Sequence, residues 1–316
     1  MAQPWLSVVL PTYNGQPYVE QMLESVAGQE LEGVEVIVAD DGSTDGTLET
    51  VERYRERLSL KLVHRGGDGA WTAGSNRGLA EATGRYVSFL HQDDVWLPGR
   101  LARLRAELER GPDPVLLLHP VFFIDQRGRR VGRWRCPLPG GPEAVERDLF
   151  LSRLLVQNFV PFPGHVMQRE AALRAGGFRR ELWYTADWNL WLTLGRMGAV
   201  RYLGEPLACY RVHGSSLTTS RSSAQLREQM QQVLGEHLPH VADMRRRERV
   251  GAVARFAIEV NAGLAALAKR EPARLGALLP QALALGPVGF RAYLRDSRIF
   301  ERVWARLGAR RLSEGN

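Results

Sequence analysis

The chain of 316 residues is poor in cysteine and has no long uninterrupted apolar run. Its two cysteines, Cys136 and Cys209, are far apart and form no CxxC pair, which favours free thiols in a reducing compartment over a disulfide framework. No run approaches the roughly 18 apolar residues that span a bilayer. The first residues, MAQPWLSVVLP, lack the basic and apolar regions of a secretory signal. These absences predict a cytoplasmic protein without a membrane span.

Two common nucleotide-binding signatures are also missing. No GxxxxGK[ST] segment occurs, which disfavours a P-loop NTPase. The segment GDGAWT at 67–72 lacks the third glycine of a dinucleotide fingerprint, which disfavours a Rossmann dehydrogenase. A nucleotide site in this chain must therefore be built in another way.

The positive charge of the chain is concentrated at its C-terminal end. The formal charge is +7; residues 221–316 contain 17 basic and 9 acidic side chains, whereas residues 1–220 contain 25 and 26. The segment FERVWARLGARR has the pattern of a basic amphipathic helix, which can lie on a membrane surface or pack on the rest of the protein or on a second subunit. Its two stripes are Phe300, Val303, Trp304 and Leu307, and Arg302, Arg306 and Arg310. No recognition motif accompanies the charge, so we expect no nucleic-acid partner.

Apolar runs alternate with segments of helical spacing over the first 120 residues. Strands are predicted at 6–10, 34–39, 60–64, 85–91 and 114–119, and helices at 17–29, 47–58, 73–82 and 98–110. This alternation favours an α/β fold with a mostly parallel central sheet flanked by helices. Beyond residue 120 the pattern predicts a hairpin turning at 126–128, helices at 143–156, 169–178 and 187–198, and two closing strands.

Four polar loops stand out: PTYNG (11–15), DDGSTDG (40–46), HQDDVWLP (91–98) and TADWNLWL (185–192). The carboxyl ends of parallel strands lie at one edge of a sheet, so the first three loops should meet there. Asp40, Asp41, Asp93 and Asp94 would then converge, and converging carboxylates need a cation or hydrogen-bond donors. Mg²⁺ or Mn²⁺ bound by carboxylates and phosphates meets this need, which points to a nucleotide diphosphate as ligand.

Structural roles compete with these interpretations. Asp, Ser and Thr commonly form turns and helix N-caps, so Asp40 and Asp41 could serve a turn, and Asp187 could cap the helix that follows it. His213 is equally compatible with a site residue and with a loop histidine that only forms hydrogen bonds.

Six segments resemble, in this order, the motifs of family 2 glycosyltransferases. They are SVVLPTYNG, VADDGSTDGT, SNRGLAEATGRYVSFLHQDD, GGF at 176–178, ADWNLWL and YRVHGSSLT, and they cover about residues 5–220. The resemblance implies the GT-A fold, in which a nucleotide-binding α/β half joins an acceptor half. It implies a catalytic domain at 1–220; the composition predicts a basic helical C-terminal extension at 221–316, with the boundary in the polar stretch Ser215–Ser223.

The resemblance also implies roles for the residues that match these motifs. The nucleotide site would comprise Pro11, Thr12, Tyr13, Asp40, Asp41, Asn76, Arg77 and Asp93. Asp93 and Asp94 match the end of the DxDD segment that binds the metal, Mn²⁺ or Mg²⁺, and the diphosphate, and His213 would add a metal ligand. Asp187 matches the catalytic base.

The chain departs from the family pattern at two positions. His91 stands where the DxDD segment usually begins with Asp, and a histidine can ligate a metal but cannot supply a second negative charge. Ala186 stands where the family favours Glu before the base. The base itself is retained, so we expect an active enzyme.

The implied reaction is a single displacement with inversion at the sugar carbon. One carboxylate can take the proton of an acceptor hydroxyl, and a metal can stabilise the leaving nucleoside diphosphate. The QxxRW motif of processive synthases is absent, so one or few sugars would be transferred. A sugar nucleotidyltransferase and a non-catalytic sugar-nucleotide-binding relative are the alternatives.

The partners implied by the resemblance are a nucleotide-diphosphate sugar, with a UDP-sugar as first choice, and a sugar, lipid-linked or other hydroxyl acceptor. These fit the synthesis of cell-envelope polysaccharide, glycolipid or other glycan. The basic tail suggests peripheral contact with the inner face of the cell membrane. The oligomeric state is open, a homodimer included.

Overall fold

The computed structural model describes residues 3–64, 66–67, 70–213, 222–272, 276 and 278–314. The strands in this part are β1 (Leu6–Thr12), β2 (Val34–Asp40), β3 (Lys61–His64), β4 (Tyr86–Phe89), β5 (Val95–Trp96), β6 (Leu116–Leu118), β7 (Val121–Ile124), β8 (Arg130–Trp134), β9 (Gly141–Val145), β10 (His165–Gln168), β11 (Val200–Tyr202) and β12 (Ala208–Arg211). The α-helices are α1 (Val19–Ala27), α2 (Thr47–Arg53), α3 (Arg55–Leu58), α4 (Trp71–Glu81), α5 (Arg100–Leu108), α6 (Arg147–Val156), α7 (Arg169–Arg174), α8 (Ala186–Met197), α9 (Ser223–His237), α10 (Met244–Lys269), α11 (Leu278–Ser297) and α12 (Ile299–Glu314).

The central sheet has the order β3-β2-β1-β4-β10-β6-β11-β9. β3, β2, β1 and β4 are parallel to one another. β6 and β11 run in the same direction as these four, because β10 is antiparallel to both β4 and β6. The prediction of an α/β fold with a mostly parallel central sheet is confirmed.

Helices cover both faces of this sheet, which explains the continuous apolar runs of its strands. Along β1, successive side chains point to opposite faces. Val8 and Leu10 pack with Met22 of α1 and Leu104 of α5, whereas Val9 belongs to the core on the other face, which includes residues of α4, α6 and α8. The loops that follow β1, β2 and β4 therefore extend from a sheet that is packed against helices on both faces.

A second sheet, β5-β12-β7-β8, lies beside the HQDD loop. β12 is antiparallel to the short β5, with Cys209 opposite Val95, so the residues after Cys209 run past Asp94 and Asp93. β7 and β8 form the predicted hairpin, and Gly128 in its turn has a φ of +79°. The sequence pattern gave no sign of β5, which has only two residues.

The C-terminal helices share a hydrophobic core with the preceding α/β part of the chain. Leu226 and Met230 of α9 and Ile258 of α10 belong to one buried cluster with Leu154 of α6 and Trp188 of α8. The predicted boundary at 215–223 falls mostly on residues 214–221, which lie outside the described residues. The division into 1–220 and 221–316 stays a prediction.

Two predicted helices begin or continue differently in the structure. The helix expected at 143–156 begins at Arg147, because Gly141–Val145 forms β9 against β11 and the Glu146 carboxylate accepts hydrogen bonds from the first backbone N–H groups of α6. The helix expected at 47–58 is divided at Tyr54 into α2 and α3. The first difference adds β9 at the edge of the central sheet, whereas the second is confined to one helix.

The prediction that no segment could cross a bilayer needs a correction. Among the described residues, the helix Met244–Lys269 is long and apolar enough to do so by length and composition, with 56% of its most apolar window buried inside the protein. Its small and aromatic residues pack on α6, α9 and α11, as expected for a core helix.

Candidate active site

Asp40 lies at the end of β2, directly opposite Thr12 at the end of β1. It is fully buried and accepts hydrogen bonds from the Thr12 hydroxyl (2.8 Å), the Ser43 hydroxyl (2.6 Å) and the backbone N–H groups of Gly42 and Ser43. Burial alone would raise the pKa of Asp40, but these donors outweigh it and hold the pKa below its usual value. Asp40 therefore fixes the turn, and His64 lies 3.1 Å from its Oδ2.

Asp41 is 3% exposed and forms an ion pair with Arg77 of α4. Its second oxygen, Oδ2, is buried and accepts no hydrogen bond from the part of the chain that the structure describes. A Cβ at Gly67 would collide with this carboxylate, so glycine is required where the chain after β3 passes it. The arrangement leaves one carboxylate oxygen available to a ligand donor.

The loops after β1, β2 and β4 are bonded to one another, as the sequence predicted for strands ending at one edge. The Tyr13 N–H donates to Gln92 Oε1 (2.8 Å), and Gln92 Nε2 donates to the Tyr13 carbonyl (2.9 Å). The Asn14 N–H donates to the Ser43 hydroxyl, and Asn14 Oδ1 accepts from the Thr44 N–H. Tyr13 itself is 44% exposed, so its ring is accessible to a planar base, and Pro11 is buried at the end of β1.

His91, Asp93 and Asp94 form a group whose ligand atoms all lie within 4.8 Å of one another. Asp94 is 1% exposed; its Oδ1 accepts from the Arg211 backbone N–H (2.9 Å), and its buried Oδ2 has no partner within the described ranges. Burial and the neighbouring Asp93 raise the pKa of Asp94 well above its usual value. An uncompensated buried carboxylate of this kind fits a cation site.

The residues of the YRVH segment orient this group. The buried Arg211 donates through Nε to the Asp93 carbonyl (2.7 Å) and through Nη1 to the Asp125 carbonyl (2.9 Å), which ties the HQDD loop to the β7–β8 hairpin. His213 Nε2 lies 2.8 Å from Asp93 Oδ2. Burial opposes the charge of Asp93, but the contact with His213 keeps its pKa below the usual value. His213 therefore lies beside the predicted metal ligands.

Asp187 is the second residue of α8, and the N-cap residue Thr185 makes no side-chain capping bond, so Asp187 itself satisfies one first-turn N–H of the helix. Its Oδ1 accepts from the Trp188 N–H (2.7 Å) and its Oδ2 from Asn158 Nδ2 (2.9 Å). Burial raises the pKa of Asp187 to about 6, despite these two donors. Asp187 keeps part of its surface exposed, so a hydroxyl can reach it. A carboxylate with this pKa suits a general base near neutral pH.

An aromatic cluster lies between the HQDD loop and the start of α8. The His91 ring stacks on Phe162 (centroids 3.8 Å apart), and Trp71 packs against His91, Phe162 and Phe178. Trp71 Nε1 also donates to the Trp183 carbonyl in the loop before α8 (3.0 Å). The cluster connects the acidic group with the segment that carries Asp187.

Asn76 uses its side-chain amide within the protein. Its Nδ2 donates to the Phe178 carbonyl (2.7 Å), and its Oδ1 accepts from the Phe178 N–H (2.8 Å), which holds the GGF turn on α4. Gly177 in this turn has a φ of +67°, and a Cβ there would collide with Asn76. The assignment of Asn76 to the nucleotide site stays a prediction, and the roles assigned to the other site residues stay predictions as well.

Four residues of the site were missed by the sequence analysis: Gln92, Asn158, Arg211 and Gln229. Gln92 and Arg211 lie inside quoted motifs, but only their contacts reveal their function. Gln229 of α9 accepts from the Tyr184 N–H (3.1 Å) and donates to the Glu181 carbonyl (2.9 Å), so it holds the loop before α8. Nothing in the sequence near Asn158 or Gln229 marks them.

The family model of Glycosyl transferase family 2 matches residues 7–174. The chain belongs to glycosyl transferase family 2. This glycosyltransferase is 30% identical over 228 residues to an uncharacterized glycosyltransferase of Nostoc sp. The aligned part covers 69% of the present chain and 68% of the Nostoc protein. The present chain is 26% identical over 228 residues to an uncharacterized glycosyltransferase of Rickettsia prowazekii, covering 71% and 69%.

Two solved structures share the fold of the glycosyltransferase. S. aureus TarS 1–349 in complex with UDP-GlcNAc has a TM-score of 0.68 at 19% identity, covering 98% of this chain and 92% of that chain. The mannosyltransferase PcManGT from Pyrobaculum calidifontis, in complex with GDP-Man and Mn²⁺, has a TM-score of 0.54 at 21% identity, covering 98% and 87%. The family and the GT-A fold implied by the motifs are confirmed.

Proposed function

We propose that this enzyme is a metal-dependent, inverting glycosyltransferase that uses a nucleotide-diphosphate sugar and Asp187 as general base. The observation that carries the proposal is the environment of Asp187: a partly exposed carboxylate at the start of α8, fixed by two donors, with its pKa raised to about 6. It lies across an aromatic cluster from an acidic group that fits a cation.

A single displacement follows from one base of this kind. As the acceptor hydroxyl oxygen attacks the anomeric carbon, Asp187 takes the hydroxyl proton, and the bond from that carbon to the diphosphate oxygen breaks. Attack opposite the leaving group inverts the configuration. Asn158 and the Trp188 N–H keep the carboxylate oriented, and the electron pair of the broken bond leaves with the nucleoside diphosphate.

The metal would be held by Asp93 and Asp94, with His213 beside them. The orphaned, buried Oδ2 of Asp94 supports the fit, because an uncompensated carboxylate at 1% exposure is costly without a cation. When bound, Mn²⁺ or Mg²⁺ would offset the charge of the leaving diphosphate.

The site chemistry supports uracil or guanine as the base of the donor. The carboxylate of Asp41 can accept from the ring N–H that uracil, thymine and guanine carry and that cytosine and adenine lack; of these bases, uracil and guanine are the ones in the donors bound to the fold neighbours. Tyr13 offers an exposed ring for stacking. The fold neighbours are in complex with UDP-GlcNAc and GDP-Man, and a UDP-sugar remains our first choice.

We also propose peripheral contact with an anionic membrane surface through α12, where a lipid-linked acceptor would be met. Phe300 and Trp304, one turn apart on α12, are 71% and 74% exposed, while Ala305 is buried against Gly132 of β8. Residues 278–314 contain seven arginines and three acidic residues. The side chains of Arg306, Leu307 and Arg310 lie outside the described residues. Exposed aromatic residues beside positive charge fit a lipid interface.

The melting temperature with UDP, GDP, CDP and dTDP, with and without Mn²⁺, tests the donor site. A ligand at 100 times its Kd stabilises by about 2.7 kcal/mol, which shifts the melting temperature by several degrees. We expect a metal-dependent shift with UDP or GDP. No shift with any nucleotide would support a different ligand, and pyrophosphate release from a nucleoside triphosphate and a sugar phosphate would support the nucleotidyltransferase.

The Asp187→Asn variant tests the base. It should retain nucleotide binding and lose roughly 10²–10⁴-fold in donor turnover. Asp113→Asn, which changes a carboxylate before the amino end of β6 at the opposite edge of the sheet, is the matched control. Full turnover in Asp187→Asn would show that another group takes the proton.

A further inference from the structure

His91 is placed to act as a ligand in the group that the proposed function assigns to the metal. A ring nitrogen of His91 lies within 4.8 Å of carboxylate oxygens of both Asp93 and Asp94. Ligands at about 2.1 Å from a metal lie roughly 3 Å apart when adjacent and roughly 4.2 Å apart when opposite. A small side-chain adjustment therefore brings all three groups onto one ion.

Two polar atoms in this group have no hydrogen-bond partner among the described residues. Nε2 of His91 is buried and makes no hydrogen bond. Oδ2 of Asp94, a residue that is 1% exposed, is also buried and accepts no hydrogen bond. Buried polar atoms are nearly always hydrogen-bonded, so two orphans in one group of potential ligands point to a missing binding partner. A cation satisfies a carboxylate oxygen and an imidazole nitrogen together, whereas a single hydrogen-bond donor satisfies only one of them.

The ring of His91 is held in place by its neighbours. It stacks on Phe162 with centroids 3.8 Å apart and has an edge contact with Trp71 at 5.5 Å. Both neighbours lack a charge or an acceptor that would compete for the ring nitrogen. The protein thus pre-orients an imidazole where an aspartate would supply a flexible carboxylate.

We propose that His91 is a nitrogen ligand of the metal and makes this enzyme select Mn²⁺ or Co²⁺ over Mg²⁺. The proposal rests on the proposed function as a metal-dependent enzyme. Mg²⁺ is a hard cation that prefers oxygen ligands, whereas imidazole suits transition metals, and Co²⁺ binds nitrogen more strongly than Mn²⁺. Exchanging a carboxylate for a neutral imidazole also removes one negative charge, which weakens binding of Mg²⁺ in particular.

The test compares the 316-residue protein with its His91→Asp and His91→Gln variants, each in the presence of UDP. Titration calorimetry gives the Kd of Mn²⁺ and of Mg²⁺. We expect the preference for Mn²⁺, taken as the ratio of the two Kd values, to fall at least tenfold in His91→Asp. His240→Gln, which changes a histidine beyond α9, is the matched control and should keep the wild-type ratio.

A spectroscopic readout independent of turnover identifies the nitrogen. Pulsed electron paramagnetic resonance of Mn²⁺ bound with UDP should show coupling to a histidine ¹⁴N nucleus, which ¹⁵N-histidine labelling converts to ¹⁵N coupling. The coupling should persist in His213→Gln and vanish in both His91 variants. His91→Gln keeps the measurement informative if His91→Asp does not fold.

The outcomes separate this proposal from the proposed function. Mn²⁺ binding without ¹⁴N coupling, or an unchanged ratio in His91→Asp, overturns the role of His91 and leaves the metal-dependent enzyme intact. Coupling that survives unchanged in the His91 variants assigns the nitrogen to another histidine, such as His213, and also overturns it. Failure of the wild-type protein to bind Mn²⁺ with UDP overturns both.

Discussion

The side-chain amide of Asn158 donates to Oδ2 of Asp187 at 2.9 Å. The two residues are 29 positions apart, and the contact places a neutral donor on the carboxylate that we propose as general base. Asn158 lies just after α6, and α6 is fastened to α8 by the bond from Trp188 Nε1 to the Leu154 carbonyl (2.8 Å). The position of the base is thus set by the packing of two helices.

Asn158→Ala should move the acid limb of the pH–activity profile to higher pH. The base must be deprotonated to act, and its pKa of about 6 means that activity falls as the pH drops through 6. Asn158 stabilises the charged form, so its removal raises the pKa further, by about one unit for a hydrogen bond to a charged group. The kcat/KM of donor turnover between pH 5 and 8 measures the shift.

Asn261→Ala is the control for this change, because Asn261 donates to Gln157 (2.8 Å), one residue before Asn158, and does not touch Asp187. It should leave the midpoint of the acid limb in place. A shift of the midpoint to lower pH in Asn158→Ala would contradict the assigned role.

Gln229→Ala should lower kcat by about tenfold with little effect on the KM for the donor. Gln229 joins the backbone of Glu181 and Tyr184, so its loss loosens the loop that leads into α8 and misplaces the base. Steady-state kinetics measure the effect. Gln232→Ala is the control, since Gln232 lies one turn further along α9 and donates only to the exposed Glu236. Equal losses in the two variants would argue for a general effect on α9.

Asp41→Asn should weaken UDP binding by roughly tenfold and reduce the preference for UDP over CDP. The substitution removes the negative charge that accepts the ring N–H of uracil, and a hydrogen bond to a charged group contributes about 1.5–3 kcal/mol. Calorimetric Kd values for the two nucleotides, with Mn²⁺ present, are compared between wild type and variant. Asp113→Asn serves as the control, and an unaltered UDP-to-CDP ratio in Asp41→Asn would remove Asp41 from the base pocket.

The double variant Phe300→Ser, Trp304→Ser should reduce binding to vesicles that contain anionic lipid by at least tenfold, because each buried aromatic side chain contributes about 1.5–3 kcal/mol. Co-sedimentation with and without anionic lipid gives the partition coefficient. Met244→Ser changes a residue of similar exposure (68%) outside α12 and should bind normally. If wild type and double variant bind alike, the aromatic pair does not contact lipid.

Much of the fold could be predicted because the strands are buried on both faces. SVVL and VIVA are continuous apolar runs, and each ends in a polar loop whose position follows from parallel pairing, so the meeting of Asp40 with Thr12 was predictable in outline. β5, with two residues, and β9, with five, were not predictable, because neither segment shows the apolar alternation of a strand. Each forms only by pairing with a strand that other contacts have already positioned.

The candidate site was likewise predictable from the sequence only in part. The sequence by itself determined that His91, Asp93 and Asp94 follow a strand and that Asp187 opens a helix, since residue types and their order along the chain are local facts. Only the tertiary structure decided their neighbours: Asn158 on Asp187, Gln229 on the loop before α8 and Phe162 on His91. These contacts join distant segments through helix packing, and the environment they create, more than the residue type, sets the pKa of Asp187 and fixes the ring of His91.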